Sequence, residues 1–189
     1  MKNALLVHGW DSKESYYNPE RPTNSNANWF PWLTKQLMVR DIHTVSIEMP
    51  RSFDPNYDAW KKELERYDVT SSTLLVGHSC GAGFLVRWLS ENDKRVGRVV
   101  LVAPWLGDDP DREFDSTFFD FELDKEFASR TAGTIVIHSN DDTAQVTKGF
   151  EKLKNLPNIK LKVFEDKGHF CLDDLKTDEF PELLEEILL

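Results

Sequence analysis

Short apolar runs recur along the chain at residues 4–7, 44–47, 73–76, 99–102, 134–137 and 160–164, and most are continuous rather than alternating. Strands that are apolar on both sides are covered on both sides, as in a parallel sheet lying between helices. Between these runs lie stretches of helical period at 29–40, 57–67 (behind the start signal Asp54-Pro55), 81–91, 147–155 and 180–188. The spacings are long enough for crossover helices. The pattern therefore predicts an α/β protein with about six mainly parallel strands, and it shows no internal repeat or linker.

Two segments break this rhythm, 9–28 and 104–130. Both are predicted to lie above the C-terminal edge of the sheet, where open α/β folds bind ligands. The first is polar and aromatic. The second carries Phe114, Phe118 and Phe121, spaced so that one helical face would hold all three rings. That stripe reads either as ordinary packing or as a small cap over an apolar acyl pocket, which makes the three rings candidate substrate-binding residues.

Composition narrows the function classes. A chain of 189 residues that is 40% hydrophobic can bury about 70% of its unfolded surface, so one compact domain, most simply a monomer, is expected. The longest apolar stretch, 99–103, is far below the roughly 18 residues that span a bilayer, and the opening MKNALLVHGW has no room for a secretory apolar region. These features predict a cytoplasmic protein with reduced thiols. Cys80 and Cys171 have no metal-type spacing, and a disulfide between them is disfavoured in a reducing compartment. The net charge of −10 opposes binding to nucleic acid or an anionic membrane, both of which need clustered Lys and Arg. Nine acids between positions 108 and 126 face only Arg112 and Lys125. Such a segment at the mouth of a site would favour a neutral or cationic apolar substrate.

The strongest chemical signal is Gly77-His78-Ser79-Cys80-Gly81, a G-x-S-x-G between a predicted strand and a predicted helix. In that context the serine occupies a strained turn, and the small residues beside it let strand and helix approach closely. Ser79 is therefore the candidate nucleophile. The N–H of Cys80, at the helix start, is a candidate oxyanion donor, and the His8-Gly9 turn after the first strand offers a second, at Trp10.

A serine of ordinary acidity needs a base, and in this architecture acid and histidine follow it in the chain. The run 134–137 leads into His138-Ser139-Asn140-Asp141-Asp142, and the run 160–164 is followed by Gly168-His169-Phe170. His169 is the candidate base, and spacing alone leaves Asp141 and Asp142 open as its partner. The other four histidines read as structural. No H-x-x-x-H or H-E-x-x-H spacing occurs, so neither a metal nor a cofactor is expected.

Taken together, Val7-His8-Gly9-Trp10, Trp29-Phe30-Pro31-Trp32-Leu33, Met49-Pro50, Gly77 to Ala82, Ser139-Asn140-Asp141-Asp142 and Gly168-His169-Phe170 resemble the retinoblastoma-binding protein 9 and YdeN-like group of small serine hydrolases. The resemblance covers nearly the whole chain. It implies an α/β-hydrolase fold in three layers with a minimal cap, and hydrolysis of small carboxylic esters through an acyl-serine intermediate. It also selects Asp142, three positions after Ser139, as the triad acid. Here the loop after Asp142 is one residue longer than the family pattern and lacks its proline. The animal members' L-x-C-x-E segment is absent around either cysteine, so no retinoblastoma-protein binding is expected. A peptidase or amidase with the same triad, and a hydrolase-fold binding protein with little turnover, are the alternatives.

Overall fold

Six strands, β1 (Asn3–Val7), β2 (His43–Ile47), β3 (Leu74–His78), β4 (Val99–Val102), β5 (Thr134–Ser139) and β6 (Ile159–Phe164), form one sheet in the order β2-β1-β3-β4-β5-β6. Every neighbouring pair is parallel. The computed structural model describes residues 3–107 and 116–189. Parallel neighbours need long crossovers, and these carry α1 (Lys13–Tyr16), α2 (Phe30–Met38), α3 (Tyr57–Leu64), α4 (Cys80–Ser90) and α5 (Ala144–Leu153). Two more helices, α6 (Leu172–Leu175) and α7 (Pro181–Leu188), follow β6. None of the described helices is long and apolar enough to cross a membrane.

The strand order explains where a site can form. The chain steps outward from β1 to β2, then returns past β1 to β3 and proceeds to β6. The connections leaving β1 and β3 therefore diverge, and a crevice opens between their C-terminal ends. Both Gly9-Trp10 and Ser79 lie at that crevice.

The continuous apolar runs mark the inner strands. All residues of β3, β4 and β5 are buried, as are the last four of β1. β6 is at the edge, with Leu161 and Val163 partly exposed, while its Lys160 and Lys162 reach the buried Glu186 of α7. The Lys160 hydrogen bond, with Lys162 adding to it, outweighs burial and holds the Glu186 carboxyl below its usual range. Edge lysines also discourage pairing with another chain.

The elements differ from the sequence pattern mainly at their ends. α5 starts at Ala144, three residues before the apolar period, because the Thr143 hydroxyl accepts the Val146 N–H. β3 continues through Gly77 and His78, so only Ser79 occupies the turn. Segment 9–28 is not featureless. It holds α1, capped by the Ser12 hydroxyl accepting the Ser15 N–H at 3.0 Å, and a 3₁₀ turn at Asn24–Asn26.

The ring stripe is not one helical face. Its described part turns through a short 3₁₀ helix, Ser116–Phe119, and Phe118 is fully buried with its ring 5.1 Å from that of Trp60. Phe118 is a core residue, inaccessible to a ligand. Phe121 lies beside Arg87, whose guanidinium also donates to the carbonyls of Thr117 and Phe118 at 2.6 and 2.9 Å. Arg87 thus fastens this stretch onto α4. Trp105, Leu106, Phe127 and Ala128 are buried as well, so the described flanks of 104–130 belong to the core rather than to a cap. Phe114 and the acids Asp108 to Asp115 lie outside the described residues.

Close packing of β1, β3 and α4 depends on two glycines. A Cβ on Gly81 would meet the carbonyl oxygens of His8 and Val7 at 2.2 and 2.4 Å, and one on Gly77 would meet Ala82 Cα at 2.6 Å. These atoms are backbone, which no rotamer change can move. Gly81→Ala is expected to cost about 3 kcal/mol, read as a lower urea midpoint. Gly107→Ala, where among the described residues a Cβ would meet only Lys152 Nζ at 3.6 Å, should leave the midpoint unchanged.

The Glu186 contacts generate a pH-dependent prediction. Because its folded pKa is depressed, the carboxylate contributes stability above its unfolded pKa, and that contribution disappears as pH falls through the folded pKa. Glu186→Gln should cost about 1.5–3 kcal/mol at neutral pH. In chemical denaturation at a series of pH values, the gap to the wild type should close on the acid side.

Candidate active site

Ser79 sits between β3 and α4 with φ 56° and ψ −123°, a strained conformation for a residue with a side chain. Backbone bonds hold it there. Its N–H donates to Val102 at 2.9 Å, and its carbonyl accepts from Gly83 at 3.1 Å and Trp105 at 3.2 Å. The turn aims Oγ at His169 Nε2, 2.8 Å away. On the far side of that ring, Nδ1 lies 3.0 Å from both carboxylate oxygens of Asp142. The Asp142 side chain is fully buried, and that of His169 is partly exposed. With Nδ1–H donating to the carboxylate, Nε2 is left to accept the serine proton.

The neighbouring acid does something else. Asp141 Oδ1 accepts from the Ser139 hydroxyl at 2.5 Å and from the Gly168 N–H at 3.0 Å. The Ser139 hydrogen bond holds its carboxyl below the usual range. Asp141 is therefore a brace for the histidine loop.

That loop is fastened almost residue by residue. The Lys167 N–H donates to Ser139 Oγ at 3.0 Å, and the N–H groups of His169 and Cys171 both donate to Asp174 Oδ2, at 3.0 and 3.2 Å. The Leu172 N–H donates to Asn28 Oδ1 at 2.9 Å, and the Trp29 indole donates to the Phe170 carbonyl at 3.1 Å. Gly168 and Phe170 flank His169 at φ 50° and 58°, so the histidine projects from two left-handed turns. The sequence reading missed Ser139, Asp174, Asn28 and Trp29 in these roles. Side-chain bonds to backbone leave no periodic signal, even where, as for Asp174, the partner lies only five residues from His169.

The remaining histidines lie outside the Ser79–His169–Asp142 chain. His78 is buried, and Nε2–H donates to the His169 carbonyl at 2.8 Å. Burial, with the charge of His169 adding to it, pushes its pKa down to about 3, so its ring is neutral. His8 donates from Nδ1 to the Gly9 carbonyl at 2.8 Å and accepts the Met49 N–H at Nε2, at 2.9 Å. In that tautomer Nε2 has no proton for Glu48, and their 3.3 Å approach is a proximity only. His138 is stacked on Phe150 with ring centroids 4.3 Å apart, and His43 is exposed.

Around the serine lies a cleft of about 160 Å³, with Gly9, Trp10, Asn28, His169 and Cys171 in its wall. A Cβ on Gly9 would come within 2.8 Å of Ser79 Cβ, which shows how closely the turn after β1 approaches the serine. Cys80 is the first residue of α4, and the Trp10 indole is tethered to the Phe53 carbonyl at 3.1 Å. Neither Phe118 nor Phe121 lines this cleft. A groove of about 400 Å³ adjoins it and shares Asn24, with Asp11, Tyr16, Tyr17, Arg21 and Glu48 in its walls. Neither Cys80 nor Cys171 is in a disulfide. Burial, with nearby Asp174 and Asp142 adding to it, pushes the Cys171 thiol up to about 12, so it is protonated at neutral pH. The arrangement can move a proton from Ser79 to His169 while Asp142 balances the imidazolium.

Comparison with known proteins agrees with this architecture. The family model described as serine hydrolase matches residues 4–185. No curated protein matches the chain. Among solved structures, the ydeN gene product of B. subtilis is similar with a TM-score of 0.81 and 23% identity, over 100% of this chain and 97% of that one. Est1E from Butyrivibrio proteoclasticus, solved with ferulic acid bound, has a TM-score of 0.66 and 14% identity, over 100% and 90% of the two chains. The carboxylesterase CesB of Bacillus subtilis has a TM-score of 0.57 and 15% identity, over 99% and 82%. At these identities the structural likenesses establish the fold. Matched by its family model along nearly its whole length, the protein belongs to the serine hydrolase family.

Proposed function

We propose that the protein is a carboxylesterase that hydrolyses small esters through an acyl-serine intermediate, with Ser79, His169 and Asp142 as its catalytic triad. The observation that carries this reading is the aligned chain of contacts, 2.8 Å from Ser79 Oγ to His169 Nε2 and 3.0 Å from Nδ1 to Asp142. His169 Nε2 takes the Ser79 proton as Oγ attacks the ester carbonyl carbon. The carbonyl oxygen becomes an oxyanion, for which the backbone N–H groups of Trp10 and Cys80 are the proposed donors. When the tetrahedral species collapses, the bond to the alcohol oxygen breaks and His169 returns the proton to that oxygen. A water then enters with His169 again as base, the acyl–Oγ bond breaks, and the carboxylic acid leaves with Ser79 restored.

The volumes support a small reacting group. About 160 Å³ at the serine is below the usual range for a drug-sized ligand, and the adjoining groove can take the rest of the substrate. The likeness to CesB, a carboxylesterase with this fold, supports an ester over an amide. The same triad can cleave amides, so matched p-nitrophenyl esters and p-nitroanilides assayed in parallel separate esterase from amidase. Turnover confined to the anilides would overturn the esterase reading.

Two substitutions check the assignment. Intact mass after incubation with a fluorophosphonate should show a single adduct on the wild type and none on Ser79→Ala, whose ester turnover should fall by several orders of magnitude. Absence of an adduct on folded wild type would favour a binding protein. Asp142→Asn should lower kcat about 10³–10⁴-fold, because the amide favours the wrong imidazole tautomer. Asp141→Asn, whose amide oxygen can still accept the Gly168 N–H, should stay within about tenfold of wild type in the same steady-state assay.

A further inference from the structure

Residues 167–172 are tied to three different parts of the molecule. Ser139 and Asp141, at the end of β5, hold the N–H groups of Lys167 and Gly168. Asn28 and Trp29, before α2, hold Leu172 and the Phe170 carbonyl. The His169 carbonyl is bonded to His78, the residue that immediately precedes Ser79. Of the hydrogen bonds described for this loop, this one comes from the elbow itself, joining residues 91 positions apart.

We propose that His78 is a positioning residue for the proposed base: its Nε2–H, donated to the His169 carbonyl, fixes how far and at what angle the His169 imidazole stands from Ser79. This inference rests on the Ser79–His169 reading above. The serine rides on β3 and α4, whereas the acid and two of the loop's braces ride on β5. Without the His78 bond, the backbone of the histidine loop is referred to the elbow less directly, through β4 and the sheet and through Asn28 and Trp29. With it, one rigid turn carries both the nucleophile and the reference point for its base.

The His78 ring is itself fixed. It is 4% exposed and packs edge-on against Trp29 at 5.7 Å and Phe30 at 6.4 Å, with the His169 ring 4.9 Å away. A donor locked in aromatic walls holds its acceptor to a narrow range of positions. Small displacements matter here, since misplacing a reacting group by about 1 Å can cost about 10²-fold in rate.

The geometry makes a discriminating test available. Nε2 of glutamine stands three bonds from Cβ, as Nε2 of histidine does, whereas Nδ2 of asparagine stands two. Kinetics of a p-nitrophenyl ester, the second-order rate of fluorophosphonate labelling, and the melting temperature should be measured for wild type and His78→Phe, His78→Asn and His78→Gln. The expected result is a kcat loss of about 10- to 100-fold for Phe and Asn, with KM within about twofold. Labelling should slow by the same factor, and Gln should return to within about threefold of wild type. Wild-type kcat in His78→Phe, or equal losses in Gln and Asn that follow only their melting temperatures, would overturn the proposal. If His78→Phe does not fold, the contrast between Gln and Asn decides. A folded wild type that takes no label would overturn the triad reading and this proposal with it, whereas a labelled wild type beside an unimpaired His78→Phe overturns this proposal alone.

Discussion

A serine at φ 56° and ψ −123° persists only where its surroundings over-determine it, and much of the fold can be understood as that surrounding. β4 receives its N–H through Val102, while Gly83 and Trp105 bond its carbonyl. β1 and α4 approach so closely at Gly81 that a single methyl group would overlap two carbonyl oxygens. Such contact needs an unyielding frame. The sealed inner strands and the fully buried Trp29, Trp60 and Trp88 supply it, because a close-packed interior transmits strain instead of absorbing it.

The histidine is held by a different kind of physics. Its loop lies beyond the end of β6, where no strand ladder is available, so side chains must satisfy the backbone groups that a sheet would otherwise pair. Ser139, Asp141 and Asp174 accept its N–H groups, and Trp29 donates to one of its carbonyls. Three of these four anchors carry oxygen acceptors that a small shift would leave unpaired. A loop pinned in this way loses several hydrogen bonds at once when it moves, which makes it nearly as rigid as the strands below it. The elbow is thus fixed by steric exclusion and the histidine by polar satisfaction, and the two meet across 2.8 Å.

What the sequence revealed follows the same division. Short apolar runs, most of them continuous, located every strand, and the two glycines around Ser79 were legible because sterics imposes a residue type at a fixed spacing. Ser79, Asp142 and His169 could be proposed from their order because the sheet's C-terminal edge gathers the ends of β3, β5 and β6. Asp141 and Asp142 were inseparable by spacing, since adjacent loop residues diverge only once the backbone is placed. The role of Asp174 depends on a five-residue return of the chain that no periodicity encodes. The rings at Phe118 and Phe121 misled because their spacing imitates a helix, whereas the chain makes only a short 3₁₀ turn and buries Phe118 against Trp60.

The switch point between β1 and β3 places chemistry and selectivity on different chain segments. The reacting cleft is framed by the elbow, the histidine loop and the turn after β1, and its volume is small. Beyond it, the larger groove is walled mostly by residues 11–24, together with Glu48 after β2. Residues 11–24 sit in short turns, with Ser12 capping α1, and none of them belongs to the buried apolar core. Substitutions there can reshape the groove without disturbing the packing that Ser79 requires. By contrast, Gly9 lies so near the serine that a Cβ there would meet Ser79 Cβ at 2.8 Å, which constrains that segment at its first residue. The connection from β1 to α2 is therefore constrained where it meets the proposed oxyanion site and open to change along the groove, so differences in substrate preference among chains of this architecture should map to its middle.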